Sequence, residues 1–367
     1  MKLAERVGPG ALAGVTTGDW LKLLVENRFR LHPLFWGRVA FISLSCPFTS
    51  LVRHLERGLY ARRYRAMPIP PPLFLLGGWR CGTTHLHNLF ALDERFGYSN
   101  LFQTMYPHTF LTSEWWWLPL LAAMTPRKRW QDNVALSLRE PAQDEMALCI
   151  MTLRSSMLGW VFPHRFEEYE RFLTFEGVPQ RDVELWKAGF REFLHKLTFK
   201  NNGRPSVLKS PYHTARIRLI LQTFPEAKFL HIHRHPYEIF PSLCHTMKKV
   251  IAAWGVQRLD ESTLENRAIE TYRRLYAAYF DQVRDIPPGR FHDISYEQLS
   301  QNPLQTLEEA YAVLGLPDFR IVQPRVEQYL ASLSSYERNK YPDLSPEIKE
   351  RLRLEWKPMF ETWGYEP

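Results

Sequence analysis

The chain has 367 residues, 45% of them hydrophobic and 23% charged, a balance that supports one large folded domain with insertions and excludes a disordered or low-complexity protein. Its net charge of +8 favours anionic partners, yet Lys and Arg are spread along the chain with no long run, so nucleic acid is not the expected partner. The four cysteines, Cys46, Cys81, Cys149 and Cys244, lie far apart with no CxxC spacing and no secretory leader ahead of them, which points to reduced thiols in a cytoplasm rather than disulfides or zinc.

Residues 1–68 read as a basic, aromatic and helical N-terminal extension, closed by the proline run PIPPP that stops a helix and starts an extended segment. The apolar stretch from Leu34 is interrupted by Arg38 and Pro47, so no transmembrane helix is expected. Together with Trp115, Trp116, Trp117 and the LPLLAAM that follows, it reads first as buried aromatic packing. A membrane surface or an apolar acceptor channel is the second reading.

Next comes PPLFLLGGWRCGTTHLHNLF, residues 71–90: a short apolar strand, a glycine turn and a helix start. Gly77 and Gly82 occupy the two glycine positions of GxxxxGK[ST], with Thr83 where the lysine would stand. Such a turn aims backbone N–H groups and the positive end of a helix at an anion. Without the lysine that reaches the β- and γ-phosphates, a triphosphate is disfavoured, and Gly78, Trp79, Arg80, Cys81, Gly82, Thr83 and Thr84 remain as a cradle for a smaller anionic group.

Residues from about 92 to 205 read as a mostly helical insertion, in which REPAQDEMALC places Asp144 and Glu145 at a helix start. Beyond it, SVLK at 206–209, ARIRLILQTF, AKFLHIHR at 227–234 and a helix after Pro236 alternate as a parallel sheet with crossover helices does. A helix from Ser262 to Arg284 aligns Ile269, Tyr272, Tyr276, Tyr279 and Val283 as a core stripe. RFHDISYEQL, from Arg290, predicts a strand and a helix, PLQTLEEAYAVLG a helix ended by Gly315, and PEIKERLRLEWKPMFETWG one final helix. The expected fold is α/β: a P-loop NTPase-like core with a parallel β-sheet flanked by helices, plus the helical N-terminal extension and the helical insertion.

Three segments carry the chemistry: GGWRCGTT, KSPYH at 209–213 and RHPYEIFPS at 234–242. Each puts cationic or hydroxyl groups at the C-terminal end of a predicted parallel strand, where open α/β sheets bind ligands. His231, His233 and His235 alternate and would share one face of a strand, but no fourth ligand is spaced nearby and a metal site is not expected.

On these residues the chain resembles the sulfotransferases that use 3′-phosphoadenosine 5′-phosphosulfate, and within them a mostly bacterial group with KSPxH-type segments. The resemblance covers residues from about 70 to 320 and, more loosely, the C-terminus. GGWRCGTTHL is similar to the family's 5′-phosphosulfate loop, usually R-S-G-T-T. FLHIHRHPYEIFPSL is similar to its 3′-phosphate segment, usually R-D-P with a serine eight residues after the arginine, a spacing kept by Arg234 and Ser242. ISYEQLSQNP is similar to its YEDL-type element, which implies Tyr296 near the adenine, with Trp79 a second stacking candidate.

The resemblance implies a sulfotransferase domain over residues 69–367, moving a sulfuryl group from that co-substrate to a hydroxyl of an organic acceptor, in line and without a metal. A sulfuryl group carries less charge than a phosphoryl group, so Arg80, Lys209 and the loop amides can neutralise the leaving 5′-phosphate, while Arg234 and Ser242 hold the 3′-phosphate. The base is Asp144, Glu145 or His213. Cys81 and His235 depart from the usual serine and aspartate, and Arg338 or Lys340 is the loose counterpart of a C-terminal basic segment. The expected partner is a small-molecule or lipid-like acceptor, with peripheral membrane contact behind it and a cytoplasmic location. The alternatives are a P-loop small-molecule kinase, or a non-catalytic nucleotide-binding or membrane-surface module.

Overall fold

A computed structural model describes residues 10–124, 137–333 and 341–366; Arg338 and Lys340 lie outside the described residues. Five strands, β1 (Leu73–Leu76), β2 (Gly97–Tyr98), β3 (Ser206–Lys209), β4 (Lys228–His233) and β5 (Phe291–Ser295), pair in parallel in the order β2-β3-β1-β4-β5. The main helices, in chain order, are α1 (Thr17–Glu26), α2 (Trp36–Ala66), α3 (Thr83–Phe90), α4 (Phe110–Met124), α5 (Glu145–Thr152) and α6 (Phe166–Thr174). They continue with α7 (Gln180–Lys200), α8 (Pro236–Trp254), α9 (Leu264–Gln282), α10 (Pro303–Val313), α11 (Gln323–Ser332) and α12 (Pro346–Glu355).

The chain divides into two compact units, one of Met1–Pro70, Ser99–Gly203 and Thr246–Leu264, the other of Pro71–Tyr98, Arg204–His245 and Glu265–Pro367. The second holds the sheet. Central β1 reads LFLL with every residue buried and no alternation, as a strand covered on both faces requires. Leu75 pairs with Lys209 of β3 and with Leu230 of β4, so β1, β3 and β4 run out at the same sheet edge. That register is what gathers the three ligand-bearing segments. In α9 the stripe of Ile269, Tyr272, Tyr276 and Tyr279 is buried as its spacing predicts. The C-terminal helix expected as one piece is two, α12 and Lys357–Trp363, because Pro358 has no N–H for a continuing helix and fits only in a new first turn.

The first unit, among the described residues, is helical. Its longest element, α2, buries Arg38, Ile42, Cys46, Thr49, Val52, Glu56 and Tyr64 at helical spacing. Two of these are charged and are held in place. The Arg38 guanidinium donates to the Gly255 carbonyl, and Glu56 pairs with Lys196 of α7 at 2.5 Å, both side chains being almost fully enclosed. Burial lowers the Lys196 ammonium pKa, and the Glu56 carboxylate opposes that shift. The tryptophan cluster departs from the packing expected of it: Trp116 and Trp117 lie in tilted contact at 5.6 Å, but Trp115 is 79% exposed.

Candidate active site

From Leu76 the chain turns through Gly77 (φ 142°), Arg80 (φ 72°) and Gly82 (φ 98°) into α3 at Thr83. The glycines are required by close approach as well as by backbone angle. A Cβ on Gly78 would lie 2.2 Å from the Tyr272 hydroxyl oxygen, and one on Gly82 would lie 2.5 Å from the Tyr296 ring. The turn is braced from behind. The Gly77 N–H donates to Thr214 Oγ1 at 2.8 Å and the Gly78 N–H to Tyr276 Oη at 3.0 Å, while Tyr272 Oη donates to the Trp79 carbonyl at 2.8 Å.

Cys81 is fully buried, its Sγ 3.2 Å from Tyr272 Oη and 3.7 Å from Tyr276 Oη. Burial pushes the thiol pKa up, against its hydrogen bonds with both tyrosines, so it is a protonated packing group at neutral pH. The departure from serine therefore falls on the bracing side of the loop. Cys81→Ser is expected to keep anion binding within about threefold of the parent, because a hydroxyl can take the same two partners; titration of adenosine 3′,5′-bisphosphate into both proteins checks this. Trp79 is 8% exposed and packs edge-on against Tyr212 at 4.9 Å, an enclosed position rather than an open stacking platform.

The cationic groups converge on this loop. Arg80 Nε donates to Ser242 Oγ at 2.8 Å, and Arg234 Nη1 donates to the Arg80 carbonyl at 3.4 Å. The Arg234 guanidinium also sits 4.4 Å from the centre of the Tyr296 ring. Ser242, on α8 just beyond the exit of β4, has Tyr341 Oη 3.3 Å away. Lys209, at the end of β3, is 7% exposed and brings Nζ to 3.4 Å from Thr84 Oγ1 in the first turn of α3, behind the largely buried Thr83. Backbone N–H groups of a helix start thus lie between a lysine and an arginine pair, an arrangement that can hold a ligand with two separate anionic groups.

The histidine row is absorbed in a stack with the C-terminal segment. His231 Nδ1 lies 2.8 Å from Asp293 Oδ1, and its ring stacks on Tyr279 at 4.3 Å. His233 stacks on Trp363 at 4.6 Å with Nδ1 2.6 Å from Tyr365 Oη. Burial holds the His233 pKa down to about 4, so the ring is neutral at pH 7. His235 Nε2 lies 3.1 Å from the Glu366 carbonyl oxygen, giving the residue after Arg234 a backbone partner.

The candidate bases are distributed between the units. His213 lies in the turn Pro211–Ala215 of the sheet unit, fully buried and edge-on to Phe74 at 5.2 Å. Asp144 and Glu145 belong to the helical unit, where Asp144 is the N-cap residue of α5 and Glu145 accepts a hydrogen bond from Ser155 Oγ; both are fully buried. Sequence reasoning missed the bracing residues Thr214, Tyr272 and Tyr276, and Tyr341 beside Ser242. A signal was present for two of them: a core stripe made of tyrosines needs a partner for each hydroxyl.

A sequence profile described as the sulfotransferase family matches residues 71–320. The chain belongs to the sulfotransferase family. It is 33% identical over 354 residues, 96% of this chain and 90% of the relative, to omega-hydroxy-beta-dihydromenaquinone-9 sulfotransferase Stf3 of Mycobacterium bovis, and to the same degree to Stf3 of Mycobacterium tuberculosis. Among solved structures, sulfotransferase STF9 from Mycobacterium avium superposes with a TM-score of 0.72 at 20% identity, covering 99% of this chain and 95% of that one. Sulfotransferase STF1 from Mycobacterium tuberculosis H37Rv does so with a TM-score of 0.66 at 17% identity, covering 93% and 92%. The expected α/β fold, a P-loop-like core with helices flanking a parallel sheet, is therefore the family's own. This sulfotransferase is an enzyme that moves a sulfuryl group.

Proposed function

We propose that the enzyme takes its sulfuryl group from 3′-phosphoadenosine 5′-phosphosulfate and passes it to a hydroxyl of an apolar, lipid-like acceptor. The observation that carries this reading is the meeting of Arg80, Arg234 and Ser242 beside a lysine-free glycine loop, with Lys209 on Thr84. Arg234 with Ser242 suits the 3′-phosphate and the loop amides with Arg80 suit the 5′-phosphosulfate, with Gly78, Gly82, Thr83 and Thr84 lining the approach and Tyr296 against the adenine. The cradle suits a diphosphorylated nucleoside because the side chains that meet at the loop, Arg80, Arg234 and Ser242, offer guanidinium and hydroxyl donors to anionic groups.

In the reaction the acceptor oxygen forms a bond to sulfur as the bond from sulfur to the 5′-phosphate oxygen breaks. Lys209 and Arg80 neutralise the charge that grows on that leaving oxygen, which is why fixed protein cations suffice and no metal is required by the charge balance. The hydroxyl proton passes to Asp144, Glu145 or His213. Support for a lipid-like acceptor comes from the relatives' named substrate. A cytoplasmic location accords with the four cysteines, which are all free thiols.

The test is transfer of labelled sulfate from 3′-phosphoadenosine 5′-phosphosulfate into a total lipid extract, with a chelator present. Label in the lipid fraction is the expected result. Transfer that needs Mg²⁺, or label delivered from the γ-phosphate of adenosine triphosphate instead, overturns the reading.

A further inference from the structure

Helix α2 is apolar on two sides. One side is the buried face already described; the other carries Leu44, Phe48, Leu51, Leu55 and Leu59, which are between 51% and 81% exposed. At roughly 100° per residue these five positions fall within an arc of about 80°, away from the buried Ile42, Cys46, Thr49 and Glu56. Neighbouring helices bound the stripe on both flanks. On one, Ser43 Oγ accepts from Trp20 Nε1 at 2.9 Å and Ser50 Oγ from the Thr17 N–H at 2.9 Å, both on α1. On the other, Phe48 meets Trp116 of α4 edge-on at 6.0 Å. These flanking helices add further exposed apolar groups, Leu21 and Val25 from α1, Trp115 and Leu120 from α4. A run of large apolar side chains this long does not sit in water without a partner.

We infer that α1, α2 and α4 form a docking surface for an anionic phospholipid bilayer, with α2 lying in the plane of the interface. Charge chooses the occupant. Arg62, three residues after Leu59, continues the stripe, and Arg63 is exposed beside it, as are Arg28 and Arg30 after α1. A basic margin on an apolar face matches anionic headgroups over acyl chains, and the exposed indoles of Trp36 and Trp115 suit the boundary between them. Pro33–Ala66 is long and apolar enough, by length and composition, to cross a membrane, with 33% of its most apolar window buried. The buried face explains why it lies flat: crossing would carry Arg38 and the Glu56 of the Lys196 ion pair away from their partners and into hydrocarbon.

Such docking would bring the enzyme to the phase where a lipid-like acceptor dissolves. It does not rest on the identity of the sulfuryl donor, so vesicle binding and nucleotide binding can fail separately. The experiment is flotation of the full chain with phosphatidylcholine vesicles made with and without phosphatidylglycerol. Flotation with the anionic vesicles, weakened by salt, is expected. The triple variant Leu44→Ser, Leu51→Ser, Leu55→Ser should lower vesicle binding about tenfold or more while keeping the parent's thermal unfolding and adenosine 3′,5′-bisphosphate affinity, since all three side chains are exposed. Arg62→Glu with Arg63→Glu should abolish the preference for phosphatidylglycerol. Failure of the parent to float with either vesicle overturns the proposal. So does a parent dimer that the triple variant dissolves and vesicles do not compete away, which would assign the face to a second copy of the chain.

Discussion

Replacing Lys209 by alanine is expected to slow sulfate transfer about 10²–10³-fold while leaving adenosine 3′,5′-bisphosphate bound within about threefold of the parent. The asymmetry follows from where the charge sits. Lys209 is nearly enclosed at the end of β3, and the pairing of β3 with β1 fixes it against Thr84. A cation there acts on negative charge that develops on the oxygen leaving sulfur, so its removal is felt in the transition state more than in the bound product. Lys209→Arg should not restore the rate, because a planar guanidinium is wider than the ammonium the enclosed position accepts. Single-turnover transfer rates set beside titration of the product nucleotide separate the two effects; equal losses in both, or no loss in either, would count against a charge placed for the reaction.

The second large effect is expected at Arg234. Arg234→Ala should weaken adenosine 3′,5′-bisphosphate about 30-fold, equivalent to roughly 2 kcal/mol, and leave adenosine 5′-monophosphate nearly unchanged. Arg234 reaches the loop through the Arg80 carbonyl, stands over Tyr296 and pairs with Glu238, a half-exposed carboxylate that a phosphate dianion can replace. Arg234→Lys keeps the charge without the fork and should fall between the two. Calorimetry with both nucleotides reads the difference directly, and an equal loss for the two would place Arg234 in general support of the loop rather than at a 3′-phosphate.

Much of the sheet was legible because parallel strands covered on both faces advertise themselves as short unbroken apolar runs: SVLK is β3 to the residue. The glycine turn was equally plain, since nothing but a sharp bend needs Gly77, Gly78 and Gly82 between a strand and a helix. What one-dimensional reading cannot supply is the side on which a loop residue points. Cys81 reads in the sequence as a lost ligand group and faces two phenols in the fold; Trp79 reads as a stacking candidate and is enclosed by Tyr212. Both depend on α9, whose tyrosines read as core by spacing and are core, with hydroxyl groups that also shape the loop. The apolar N-terminal helix carried the opposite ambiguity, because composition reports how oily a helix is and only packing reports which half of it is covered.

The bracing of the glycine turn has a temporal side. Gly78 and Cys81 are gripped by hydroxyls that lie 198 and 191 residues further along the chain. A ribosome would release the turn, β1 and α3 long before it released α9, so the nascent anion site would wait unbraced through most of synthesis and snap into shape late, when that helix arrives. Nucleotide therefore cannot act as an early template for folding. Capture on an immobilised nucleotide should instead retain chains only once most of the protein has folded.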